Sequence, residues 1–114
     1  MATIYKICPA TLWRAAIAAG VLRGSPVDLR DGFIHFSTAS QIAETAANYF
    51  AGQADLVVVA FDDAALGPGL RYEPSRGGAM FPHLYGPLDP AAALWLRPLP
   101  IGPDGRHVFP DLLP

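Results

Sequence analysis

The sequence is short of several things, and each shortage removes a class of function. Cys8 is the single cysteine among 114 residues, so no disulfide can form within the chain. That suits a reducing compartment, and as a small apolar residue beside a helix start Cys8 is expected to be packed rather than reactive. Lys and Arg total only 8 and the formal net charge is -2. Without a basic block, the chain is not expected to hold nucleic acid through phosphate contacts. Long hydrophobic runs are also missing: the apolar stretch at 15–22 is far too short to cross a membrane. Trp13 and Arg14 precede it and Arg23 follows closely, which argues against a secretory leader. No repeat, linker or low-complexity segment is visible. A cytoplasmic protein with no membrane partner is the expectation.

What remains is an ordinary globular composition, 52% hydrophobic, of a length that fits one domain with a single core. "TIYKI" at 3–7 reads as a short strand, with Ile4 and Lys6 on one face and Tyr5 and Ile7 on the other. "PATLWRAAIAAG" reads as a helix, with Pro9 at its start, Gly20 at its stop, and Leu12, Trp13, Ala16 and Ala19 as its apolar face. "RGSPVDLRD" at 23–31 has the composition of a loop. "GFIHFS" follows as a strand, and "TASQIAETAANYF" as a helix whose Thr38 and Gln41 have capping-box spacing. "DLVVVAF" at 55–61 is the clearest strand, apolar on both faces, as in the middle of a sheet. "LRYEP" is a short strand, "SRGGAMFP" a Gly-rich loop suited to a mobile flap, and 92–99 a last strand. Residues 101–114 form a Pro-rich tail, packed on the domain of residues 1–100 or extending from it. Two main helices followed mostly by strands imply α+β rather than a doubly wound parallel sheet.

The chemistry-bearing residues cluster in three segments. Alternation along "GFIHFS" places Phe33, His35 and Ser37 on one face and Ile34 and Phe36 on the other. An aromatic ring, an imidazole and a hydroxyl on one face suit a ligand pocket. A buried histidine satisfied by a carbonyl is the competing account. In "FPHLYGPL", His83 and Tyr85 share a face and together can hydrogen-bond a ligand's hydroxyls or phosphates, or belong to a rigid Pro-bounded turn. In "LRYEP", Arg71 and Glu73 share a face. Glu73 could serve as a general base or hold a ribose hydroxyl, or form an exposed charge pair with Arg71. Tyr5 and Lys6 are weaker candidates that also read as ordinary edge-strand residues. His35, His83 and His107 are far apart in sequence with no cysteine or carboxylate at ligand spacing, so no metal site is expected. "SRGGAMF" lacks the phosphate-loop pattern, and Ser37 lacks a nucleophile elbow.

Taken together, "IYKI", the Trp-bearing helix ending in Gly20, "GFIHFST" with Gln41, "DLVVVAFD", "LRYEP" and "FPHLYGPL" resemble the bacterial domain-of-unknown-function family 952. The resemblance runs from the first strand to "LWLRPLP". It implies a relative of the ADP-ribosyltransferase fold: a split, strongly bent β-structure with a nicotinamide-dinucleotide cleft between its halves. The resemblance would place the first strand, the "GFIHFST" strand and the Glu73 segment around that cleft. It also implies NAD as the cofactor if the chain is an enzyme. Many members carry histidine where Lys6 stands, and lysine neither stacks nor donates in a fixed fork.

Three functions compete. The first is a binding module that holds a nucleotide or another small metabolite between His35, Ser37, His83 and Tyr85. The second is an NAD-dependent ADP-ribosyl transferase. In that enzyme Glu73 would stabilise the oxocarbenium-like centre, His35 and Ser37 would hold ribose hydroxyls or the carboxamide, Tyr85 would stack on nicotinamide, and His83 would contact phosphate or acceptor. A structural or interaction protein without a ligand is the third. Nothing in the sequence selects a monomer or a dimer.

Overall fold

The computed structural model describes residues 2–112, with Arg76 described by its backbone alone. Strand β1, Thr3–Pro9, is central rather than an edge: it pairs antiparallel with β3, Ser37–Thr38, on one side and with β4, Leu56–Asp62, on the other. Strand β7, Trp95–Leu99, completes this four-stranded sheet beside β4. A second sheet of three strands has the order β2-β6-β5, from Ile34–His35, Met80–Leu84 and Leu70–Pro74. The class is α+β, as the element order implies.

The four-stranded sheet is covered on both faces, and β4 shows why its sequence is continuously apolar. Val57, Val59 and Phe61 enter one core with Ile4, Cys8, Trp13 and Phe36. Leu56, Val58 and Ala60 enter the other with Tyr5, Ile7, Ile42 and Leu99. A strand buried on both sides has no use for polar residues at alternate positions. Burial also pushes the Cys8 thiol up to about 11, so this cysteine is packed and inert.

Among the described residues there are three α-helices rather than two. Helix α1, Ala10–Ala19, ends where Gly20 adopts φ 76 and returns its N–H to Ala16 and Ile17. Helix α3, Ile42–Tyr49, is preceded by half of the expected capping box: the Thr38 N–H donates to Gln41 Oε1 at 3.0 Å. The same Gln41 side chain donates to the Met80 carbonyl at 2.8 Å and so ties the two sheets together. The extra helix, α2 at Pro26–Asp31, lies in the segment whose composition reads as loop. Ser25 caps it, Pro26 begins it, and Ser25 N–H donates to Asp28 Oδ2 at 2.9 Å. Ser-Pro-x-Asp followed by Gly32 is a helix signature that the loop-like composition masks.

The expected strand at 32–37 is divided at Phe36. Ile34 and His35 pair with Leu84 and His83 in the smaller sheet, while Ser37 and Thr38 pair with Tyr5 and Ile4 in the larger. Phe36 donates its N–H to Pro82 at 3.0 Å and stands edge-on to Phe61, with ring centroids 5.6 Å apart. One extended segment thus feeds both sheets, and the cleft opens beside its break. The Gly-rich segment after Pro74 is a tight turn, closed by Ser75 N–H to Ala79 at 2.9 Å and Gly78 N–H to Ser75 at 2.7 Å. The following strand begins at Met80, so the segment is the turn of a β5–β6 hairpin.

The Pro-rich tail folds back on the larger sheet. Phe109 and Leu112 pack against the second core, and the Tyr5 hydroxyl donates to the Leu112 carbonyl. His107 Nε2 bonds the Gln53 carbonyl at 2.8 Å, which keeps this third histidine away from the other two. Leu113 and Pro114 lie outside the described residues. Among the described residues no helix is long and apolar enough to cross a membrane.

Candidate functional site

A cleft of about 740 Å³ runs between β1, α2, α3 and the start of β6. This is within the range of small-molecule sites. Its apolar walls include Ile7, Leu12, Phe36, Phe50 and Phe81, and its polar lining includes Lys6, Asp28, Asp31, His35, Ser37 and His83.

Asp28 is the hub of one polar cluster. It is 2% exposed, and its carboxylate accepts from four donors. Oδ1 takes the His35 backbone N–H at 3.1 Å and His35 Nδ1 at 2.6 Å. Oδ2 takes Ser25 N–H at 2.9 Å and Lys6 Nζ at 3.0 Å. Burial alone would push this carboxyl up. The bond from His35, the charge and bond of Lys6, and the Ser25 N–H outweigh it and hold the carboxyl well below the usual carboxylate range. The other ring nitrogen of His35, Nε2, lies 3.0 Å from Asp31 Oδ2, one helical turn further along α2. Both ring nitrogens of His35 are thus engaged by carboxylates of α2. Asp31 is in turn gripped by Arg30, whose bond to it lowers its carboxyl.

Lys6 is buried and committed. Besides Asp28 it donates to the His35 carbonyl at 3.0 Å. The edge-strand reading of Lys6 and Tyr5 is therefore corrected: β1 is interior, and Lys6 is a structural counter-ion within the cleft wall. Two of the three donors of this ammonium are thus taken within the fold.

The second cluster surrounds His83, which stands opposite His35 in the β2–β6 pair, with ring centroids 5.5 Å apart. His83 is 4% exposed and lines the cleft. Its Nδ1 lies 2.8 Å from Glu73 Oε1, and the Tyr85 hydroxyl donates to that same oxygen at 2.8 Å. These two bonds lower the Glu73 carboxyl, that from His83 most, and the bond to Glu73 raises the Tyr85 hydroxyl. Phe33 stacks on His83 with centroids 4.0 Å apart and a 29° interplanar angle, and also touches the His35 and Tyr85 rings. Arg71 sits over the Tyr85 ring at 5.6 Å. Glu73, Tyr85 and Arg71 are absent from the cleft lining and stand behind His83.

Of the sequence-derived candidates, Tyr5, Lys6, His35, Ser37 and His83 meet at the cleft, while Glu73, Tyr85 and Arg71 do not. Ser37 is tied down: Thr45 Oγ1 donates to the Gln41 carbonyl at 3.2 Å, so the 2.9 Å contact between the two hydroxyls uses the Ser37 proton. Asp28 and Asp31 were not among the candidates. Their signal was the helix signature of α2, which puts two carboxylates three residues apart on one turn. Among the described residues no group of His, Cys, Asp and Glu converges in a way that could hold a metal ion.

A family model described as "Protein of unknown function (DUF952)" matches residues 7–96. The crystal structure of protein CC0527 from Caulobacter crescentus is similar at 48% identity, covers 93% of each chain, and superposes with a TM-score of 0.89. A crystal structure of a double mutant of the same protein is 46% identical with the same coverage and TM-score. The solution NMR structure of CC0527 is 49% identical over 93% of this chain and 91% of that one, with a TM-score of 0.84. No curated protein matches the chain.

Proposed function

Because the chain belongs to the DUF952 family, whose description carries no activity, we propose from the cleft itself that the protein binds a small nucleoside- or nucleotide-like metabolite. The observation that carries this reading is the pair of cross-strand imidazoles, each oriented by a carboxylate, on the wall of a largely apolar cleft of about 740 Å³. Apolar walls receive a flat ring, and a few fixed polar groups read its substituents. His83 offers a polar edge on the cleft wall, beside a His35 ring whose two nitrogens are held by Asp28 and Asp31. Calorimetric titration with NAD⁺, ADP-ribose and nicotinamide as separate titrants tests the reading. Saturable heat that is lost in His83→Ala, in a variant that remains folded, is expected. No heat from any of the three, with the protein shown to be folded, would overturn it.

The division of residues 32–38 between two sheets favours a second reading, an ADP-ribosyltransferase-like cleft with NAD as its cofactor. In that reading Glu73 acts through His83 rather than on the sugar. Of the two carboxylates that line the cleft, Asp28 is held by four donors, and Asp31 is the one that would face a developing positive charge. Release of nicotinamide from NAD⁺, followed by chromatography, is the expected signature. Binding without release would remove the transferase and leave the binding module.

A further inference from the structure

Glu73 and His83 form a unit whose chemistry goes further than shape. Glu73 does not line the cleft, His83 does, and the bond between them uses Nδ1. A carboxylate accepts and does not donate, so the shared proton resides on Nδ1. In the neutral ring that leaves Nε2 as an acceptor, on a residue that lines the cleft. The arrangement is braced on all sides. Tyr85 donates to the same carboxylate oxygen, which orients it, and Phe33 lies against the imidazole face. The cross-strand neighbour is the opposite case: His35 meets a carboxylate at each of its two nitrogens.

We propose that Glu73 is a positioning and specificity-determining residue that fixes His83 as a hydrogen-bond acceptor, so that the cleft selects ligands presenting an N–H or O–H donor at that point. The substrate class is a neutral carboxamide or hydroxyl-bearing ring rather than the same ring carrying a carbonyl alone. This deepens the binding reading and rests on it for the identity of the ligand, but the state of the ring does not. A neutral His83 with its lone pair on Nε2 is also the form that accepts a proton from a bound hydroxyl.

Two measurements on the full chain separate the claims. The first is nitrogen-detected NMR of the imidazole tautomers in the ligand-free protein, at a pH where the ring is neutral. The Nδ1–H form of His83 is expected in the native chain, and a shift toward Nε2–H in Glu73→Gln, whose amide can donate to Nδ1. Tyr85→Phe, which keeps the carboxylate, should retain the native tautomer. An Nε2–H form in the native protein, or an unchanged tautomer in Glu73→Gln, would overturn the proposal whatever the ligand. The second compares nicotinamide with 3-acetylpyridine, a neutral analogue in which a methyl replaces the amide nitrogen. Nicotinamide should bind on the order of tenfold more tightly, and Glu73→Gln should shrink that preference while the fold persists. Equal binding of the two probes would overturn the selectivity. Failure of both to bind, with Nδ1–H found on His83, would support the positioning role of Glu73 and count against the nucleoside-like ligand alone.

Discussion

Two histidines face each other across the β2–β6 pair, and they are supported in contrasting ways. His35 is a third exposed at its side chain, yet it leans on Asp28, a carboxylate buried with Lys6 and satisfied by four donors. His83 is buried, yet it leans on Glu73, a carboxylate that is a third exposed and shared with Tyr85. The lesson is that the support, more than the imidazole, sets what each site does. The His35 support is part of the fold, since it locks α2 onto β1. The His83 support stands at the solvent side of the smaller sheet, where it can tune the ring with little consequence for folding.

The sharpest way to break the contrast is Asp28→Ala. It strands the buried Lys6 ammonium and removes the tie between α2 and the sheet. A loss of about 3–5 kcal/mol in chemical denaturation is expected, the range for a buried pair with one partner deleted. A loss below about 1 kcal/mol would show that water reaches this cluster freely.

Next comes Gly24→Ala. Gly24 holds φ +131, and an added Cβ would lie 2.7 Å from Asp28 Cβ. Strain of about 1–3 kcal/mol is expected at such a position, together with displacement of α2 and weaker ligand binding. Native-like stability would mean that α2 can shift without cost.

Acid should separate the two supports as well. The Asp28 carboxyl is depressed in the fold, so the charged form contributes stability above the unfolded-state value near 3.8. That contribution is lost progressively as pH falls below this value toward the folded-state one. Denaturation midpoints measured from pH 6 to pH 2 should fall steeply in the native chain. The fall should be shallower in Asp28→Asn, which begins less stable. Parallel slopes would remove Asp28 as the source.

Ser37→Ala deletes one bond between β3 and α3 and is expected to cost about 1 kcal/mol. The smallest effect belongs to Glu73→Gln, for which thermal unfolding should stay close to native while the His83 tautomer changes. A large drop in melting temperature would make Glu73 as structural as Asp28 and dissolve the contrast.

Much of the fold was legible because periodicity survives packing. β1, α3 and β4 follow the expected alternation and helical spacing, α1 buries Trp13 and Ala16 of its expected face but leaves Ala19 exposed, and Ile34 and Phe36 point to the core while His35 reaches the cleft. The division at Phe36 was not legible, because a strand that changes sheets keeps the same apolar pattern on both sides of the break. Helix α2 was hidden because its six residues carry only one turn of apolar signal. With it went Asp28 and Asp31, although their spacing was in plain view. The pairing of Lys6 with Asp28 joins residues 22 positions apart through tertiary contact, which local pattern does not report. Glu73 reads beside Arg71, and His83 beside Tyr85, as separate segments, because the bonds that join them are tertiary. The place of Glu73 behind His83 depends on the register of β5 against β6, where Glu73 pairs with Phe81.

The most direct test of the binding cleft is a titration of the isotopically labelled full chain with NAD⁺, followed residue by residue through backbone amide NMR. The account predicts saturable shifts gathered on β1 near Lys6, on α2, at His35 and Ser37, and at Phe81 and His83. Unperturbed amides at saturating NAD⁺, or shifts confined to a surface away from these residues, would contradict it.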